Sequence, residues 1–147
     1  METISEFDAI EIGRSVRVSK TVGETDIYLF AGVSGDFAPV HVNEEHMKGT
    51  PYGKRIAHGA LIVAFLSWAS TKFMEAISFQ TVSYGYDKIR FVKPVFIGDT
   101  VTIEYVLVEK ITEKTQLRSQ VTATNQRGEV VTVATHILQY IKPLSES

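Results

Sequence analysis

The chain has 147 residues, a length that favours one domain, and a formal net charge of -2, which argues against a nucleic-acid partner. It contains no cysteine, so disulfides, thiolate nucleophiles and cysteine-based zinc sites are excluded. The longest apolar run, Ala60 to Leu66, is too short to span a bilayer, and the N-terminus is acidic where a secretory signal would be basic. We therefore expect a cytoplasmic protein with no membrane partner.

The first predicted elements are a strand and a helix. Residues 15–21 alternate between polar and apolar side chains, which predicts a strand. The segment from Thr21 to Glu24 has the form of a capping box with Thr21 as the N-cap. It predicts a helix from about Glu24 to Ser34, which Gly35 should end.

An acid and an imidazole, Asp36 and His41, stand five positions apart after this helix. Gly35 and Pro39 break regular structure, so we predict a loop and not a helix face. A carboxylate and a histidine on a stiff loop can act as a proton-transfer pair, although Asp is also a common structural turn residue. Since Asp36, His41 and His46 match no helical zinc spacing, we expect no metal.

A long helix is predicted from Gly59 to about Ile77. Its first ten residues are apolar nearly all round, which indicates burial on most sides. His58 and Gly59 mark its start, where free backbone N–H groups can stabilise developing negative charge as an oxyanion hole. A purely structural alternative is a cap followed by a glycine for close packing.

The second half of the chain predicts β-structure. Strands are expected over residues 81–91, 100–110, 115–124 and 129–141, with a hairpin turn at 125–128. The simplest assembly is an α+β domain in which an antiparallel sheet wraps around one long central helix. The segment before that helix is expected to overhang as a loop.

Three segments, taken in order, resemble the MaoC-like, (R)-specific enoyl-CoA hydratases. They are Ser34-Gly35-Asp36-Phe37-Ala38-Pro39-Val40-His41, Ile56-Ala57-His58-Gly59 and, in the third, Phe91, Lys93, Pro94, Val95, Gly98 and Asp99. The likeness extends from about Ile12 to Ile141. It implies a single hot-dog domain over residues 1–147 that needs no cofactor. It also implies an acyl-CoA or acyl-carrier-protein thioester as substrate, bound near the interface of a homodimer or dimer of dimers.

The resemblance also implies roles for individual residues. Asp36 and His41 fall on the catalytic pair of the family, and the backbone N–H of Gly59 falls where it would polarise the thioester carbonyl. The expected reaction is (R)-specific hydration of a trans-2-enoyl-CoA to a (3R)-3-hydroxyacyl-CoA, or the reverse dehydration. The remaining expected substrate contacts are Ser67, His58 and Ala38.

One position departs from the family motif, which usually carries Asn where this chain has Ala38. The departure bears on substrate range and leaves two alternatives open. One is a hot-dog acyl-CoA thioesterase, in which water attacks the carbonyl carbon. The other is a non-catalytic acyl-thioester-binding subunit, which the loss of the amide at Ala38 would favour.

Overall fold

The computed structural model describes residues 2–77 and 80–141. A 3₁₀ turn, Thr112–Lys114, follows the third strand. The helices are α1 (Glu2–Ala9), α2 (Glu24–Ser34), α3 (Pro39–Val42), α4 (Glu44–Lys48) and α5 (Gly59–Ile77). The strands are β1 (Ser15–Thr21), β2 (Thr81–Phe91), β3 (Thr100–Ile111), β4 (Gln116–Thr124) and β5 (Val130–Tyr140).

One antiparallel sheet holds these strands in the order β1-β3-β4-β5-β2. The central helix α5 packs against β3, β1 and β4. The predicted antiparallel sheet around a long helix is therefore confirmed. Within the described residues, α5 is the one helix long and apolar enough to cross a membrane, but it is the core helix of this fold.

The alternation of side chains along β3 explains how the sheet meets α5. Successive strand residues point to opposite faces, so every second residue of β3 can be buried. Val101, Ile103, Tyr105 and Leu107 are fully buried, as expected, and pack in one core with Phe73 of α5. The other face of β3 carries the polar Thr102 and Glu104 and continues with Val106 and Val108.

The predicted cap of α2 is wrong. Gly23, not Thr21, precedes the helix, and its N–H donates to Asp26 Oδ2 at 2.8 Å. Thr21 is instead the last residue of β1, where its hydroxyl lies 2.8 Å from that of Thr100. Pairing between strands therefore overrides the local capping pattern. Gly35 ends α2 as predicted, in the left-handed conformation with φ of 81°.

A polar cluster in the sheet surrounds a buried histidine. His136 on β5 is fully buried, with Nδ1 2.7 Å from the Tyr105 hydroxyl and Nε2 2.7 Å from the Ser83 hydroxyl. The Tyr86 ring stacks on the imidazole with a centroid separation of 4.3 Å. Burial lowers the pKa of His136 to about 4, because the charged imidazolium would lose its hydration.

This depressed pKa predicts a loss of stability in mild acid. The unfolded chain protonates His136 near pH 6.5, whereas the folded chain resists protonation down to about pH 4. Unfolding is therefore favoured as the pH falls through this window, by about 3 kcal/mol in total. Denaturant titrations of wild type and His136→Asn at several pH values measure the effect. The stability advantage of the wild type over the variant should shrink towards pH 4, and a constant difference would contradict the prediction.

Candidate active site

The segment between α2 and α5 carries the two residues expected to transfer protons. Asp36 follows the end of α2, whereas His41 lies on the single turn α3, so the prediction of a loop around His41 is wrong. Pro39 occupies the first position of that turn, where its missing N–H has no intrahelical partner to lose. A proline that breaks a longer helix thus begins a short one.

The tautomer of His41 follows from its contact with the backbone. Its Nδ1 lies 2.8 Å from the carbonyl oxygen of Ile56, and a carbonyl can only accept, so Nδ1 carries the hydrogen. Nε2 is therefore the atom that can gain or lose a proton. It lies 3.7 Å from Oδ2 of Asp36.

The Asp36 carboxylate is held by the backbone on one side only. Its Oδ1 accepts a hydrogen bond from the N–H of Ala38 at 3.2 Å, while the N–H of Asp36 donates to the Ser34 hydroxyl at 3.1 Å. Oδ2 remains directed at His41, and the side chain is about half exposed. The carboxylate can therefore reach both water and the imidazole. At Ala38 the backbone, and not the side chain, makes the contact with Asp36.

His58 lies behind this pair. Its ring stacks on that of His41 with a centroid separation of 3.7 Å and an interplanar angle of 24°. Nε2 of His58 lies 2.9 Å from the backbone oxygen of Asp36. We expected His58 to contact substrate, but the residue is only 1% exposed and reaches the other two residues of the site instead.

Gly59, the first residue of α5, borders a cavity of about 330 Å³ that His41 also lines. Residues 91–95 form the facing wall. The N–H of a first helical residue has no intrahelical acceptor, so it is available to a ligand. A Cβ at Gly59 would lie 2.7–2.8 Å from ring atoms of Phe91, so a side chain fits there only if that ring moves.

Ser67, another expected substrate contact, lies eight residues further along α5. At 1.5 Å per residue it is about 12 Å beyond Gly59. Its side chain is exposed and lies outside the described lining of the cavity. The structure thus brings Asp36, His41 and His58 together, and of these three only His41 lines the cavity beside Gly59. Ser67 lies apart from both.

The cluster of Asp36, His41 and His58 also has the residue types of a metal site. Asp36, His41 and His58 each offer a ligand atom, and these atoms lie within 4.8 Å of one another. The two rings are stacked with an interplanar angle of 24°, so their in-plane lone pairs lie in nearly parallel planes, whereas tetrahedral ligands must converge on the ion. Each ring also has one nitrogen bound to a carbonyl. The geometry favours a proton-transfer pair over a metal centre.

Two contributors to this site were not anticipated from the sequence. The carbonyl of Ile56 orients His41, and the ring of Phe91 packs on Gly59. A backbone carbonyl leaves no trace in the residue pattern. Phe91 is part of the third segment of the resemblance, but its contact with Gly59 depends on where β2 ends relative to α5.

Comparison with known proteins agrees with the fold and the site. Residues 7–130 match the family described as MaoC like domain. An (R)-specific enoyl-CoA hydratase from Rhodospirillum rubrum is 37% identical over 118 residues, which are 80% of each chain. The structure of R-hydratase PhaJ1 from Pseudomonas aeruginosa has a TM-score of 0.76 and 28% identity and covers 96% of both chains.

A third similar protein is described by a different role. The structure of a monoamine oxidase regulatory protein from Archaeoglobus fulgidus has a TM-score of 0.81 and 34% identity, covering 93% of this chain and 95% of that one. Together these likenesses confirm the predicted hot-dog fold. The relatives named hydratases confirm the predicted enzyme class, a hydro-lyase.

Because a Cβ at Gly59 would meet the ring of Phe91, we expect the effects of substitutions at these two positions on stability to be coupled. Gly59→Ala should destabilise the protein, but by less than the range of about 1–3 kcal/mol typical of an overpacked core, because the new methyl would overlap the far end of the Phe91 ring and that half-exposed ring can turn towards solvent. Adding Phe91→Ala should recover part of that loss by removing the ring. Equilibrium unfolding of both single variants and the double variant measures the coupling. Strictly additive destabilisation would show that the ring does not restrict this position.

Proposed function

Because the chain belongs to the MaoC-like domain family, we propose that it catalyses the (R)-specific hydration of a trans-2-enoyl-CoA, or the reverse dehydration. The observation that carries the proposal is the pairing of the free Nε2 of His41 with the Asp36 carboxylate beside the first turn of α5. The similarity to an (R)-specific enoyl-CoA hydratase supports it.

The carbonyl of the thioester needs a stabilising donor. Water attack at Cβ of a 2-enoyl thioester moves charge onto the carbonyl oxygen, which becomes enolate-like. In the proposed complex the N–H of Gly59 donates to that oxygen, on the cavity side of α5. One such donor typically contributes about 10²–10³-fold to the rate.

The acid–base pair handles the protons of the added water. Nε2 of His41 and Oδ2 of Asp36 are 3.7 Å apart, a separation that allows one water to contact both. One group accepts a proton from the water as its oxygen attacks Cβ, and the pair then delivers one proton to Cα, which restores the starting protonation state of the pair. Because both act from one side of the substrate, the addition is syn. It yields the (3R)-hydroxyacyl product when the substrate presents to the pair the face of Cβ whose attack by water gives that configuration. Dehydration follows the same path in reverse.

Turnover should depend strongly on both members of the pair. Asp36→Asn and His41→Ala should each lower kcat for enoyl-CoA hydration by at least about 10², the usual contribution of general acid–base catalysis. The assay follows the loss of enoyl thioester absorbance, with circular dichroism to verify folding. His46→Ala, at an exposed histidine on α4, is the matched control and should retain activity. Near-normal turnover in either site variant would remove that residue from the mechanism.

Ala38 is proposed to influence substrate range. Ala38→Asn would introduce the amide usual in the family motif, next to the backbone N–H that bonds Asp36. We expect the relative activities towards short, medium, branched and aromatic enoyl-CoA thioesters to be redistributed. The measurement is kcat/KM over that panel for wild type and variant. Unchanged ratios would make the identity of this residue incidental.

The two alternative functions give different products. A thioesterase would release free CoA from a saturated acyl-CoA, which a thiol reagent detects. An acyl-thioester-binding subunit would bind the substrate without turnover until a partner hot-dog chain is added. The facing Asp36 and His41 side chains favour hydration over both.

A second copy of the chain is the proposed partner. Strand β2 pairs with β5 on one side and forms an edge of the described sheet, with exposed apolar side chains at Val82 and Tyr84. Such an edge can pair with itself across a two-fold axis. Sedimentation of the purified protein tests this, and a monomer at all concentrations would contradict it.

A further inference from the structure

His58 contacts both members of the proposed acid–base pair, although almost none of its own surface is accessible to solvent or substrate. A role for His58 beside this pair rests on the proposed function of Asp36 and His41. His58 itself would not touch the reacting atoms of the substrate.

The first contact fixes the backbone of Asp36. The oxygen of Asp36 can only accept, so Nε2 of His58 carries the hydrogen and donates to it at 2.9 Å. Asp36 directly follows Gly35, whose left-handed conformation ends α2. The hydrogen bond therefore ties the end of α2 to the residue that directly precedes α5. It determines where the Asp36 carboxylate stands relative to Gly59.

The second contact fixes the ring of His41. The imidazoles of His41 and His58 are stacked, and Phe30 meets the His58 ring edge-on with centroids 4.9 Å apart. His58 is thus held between two rings and supports the face of His41. The bond from His41 Nδ1 to the Ile56 carbonyl sets the in-plane rotation of the same imidazole. Together the two contacts leave His41 one orientation.

The second ring nitrogen of His58 takes no part in these contacts. Its Nδ1 is buried and has no hydrogen-bond partner among the residues that the structure describes. A proton there would be an unpaired buried donor and would place a second positive charge against a protonated His41. His58 therefore contributes its Nε2–H donor and the face of its ring, whereas Nε2 of His41 is the nitrogen that faces the Asp36 carboxylate.

We propose that His58 is a positioning residue that aligns Asp36 and His41 through one hydrogen bond and one ring stack. Small displacements of catalytic groups cost large factors in rate. Loss of either contact should therefore lower kcat by about 10–10²-fold and change KM by less than about 3-fold. The apparent pKa values of the pH–rate profile should also move, because they depend on the spacing of the pair.

Two substitutions separate the two contacts. His58→Phe keeps an aromatic ring for the stack and loses the donor, whereas His58→Gln keeps an N–H donor of similar reach and loses the ring. We expect both to lower kcat and to move the pH–rate profile. His46→Phe, on the exposed side of α4, is the matched control and should leave kcat and the profile unchanged.

Nuclear magnetic resonance titration of the His41 ring provides a readout that does not need activity. A shifted His41 titration in His58→Phe and His58→Gln, relative to wild type, supports the positioning role. Coincident His41 titration curves together with an unchanged pH–rate profile overturn it, even if both variants melt at lower temperature. If either variant fails to fold, the other carries the comparison.

The outcome can be distinguished from failure of the proposed function. If Asp36→Asn and His41→Ala abolish turnover while the His58 variants match the wild type, the positioning role is wrong and the hydratase proposal stands. If Asp36→Asn and His41→Ala retain turnover, the hydratase mechanism fails. The titration of His41 then still decides whether His58 orients its neighbour.

Discussion

The burial of α5 is the constraint on which the rest of the structure depends. The first half of this helix is apolar nearly all round, although the structure buries one face of it rather than most sides. That apolar face is stable in water only when other elements cover it. The antiparallel sheet covers it through the buried face of β3 and its neighbours. Once that packing is formed, the start of α5 has a fixed place, and so do His58 and Gly59. The segment from α2 to α5 can then close over that start.

Backbone carbonyls, more than charged side chains, organise the candidate site. The carbonyl of Ile56 selects the tautomer of His41, and the carbonyl of Asp36 selects that of His58. The two stacked imidazoles therefore expose different nitrogens, although they are chemically the same group. One has its free nitrogen towards the Asp36 carboxylate, and the other has its free nitrogen in the protein interior. Backbone carbonyls outside the helices thereby give two similar side chains different free nitrogens.

Much of the fold was predictable because it follows from local periodicity. The alternation in β1 and β3 and the long apolar run of α5 led to correct elements, and Asp36 and His41 do lie together. Features that depend on contacts between residues far apart in the sequence were not predicted. Helix α1 gains buried contacts through Phe7, and Thr21 belongs to β1 because Thr100 lies opposite it. The place of His58 behind His41 likewise depends on the crossing of two segments.

The departure from the family motif at Ala38 affects the site less than its position suggests. The group that orients the Asp36 carboxylate here is the N–H of Ala38, which every residue except proline can supply. The second anchor of Asp36 is its own carbonyl, held by His58. Neither contact uses the side chain at position 38. Replacing an amide by a methyl therefore leaves the acid in place and removes a polar group from the space beside it.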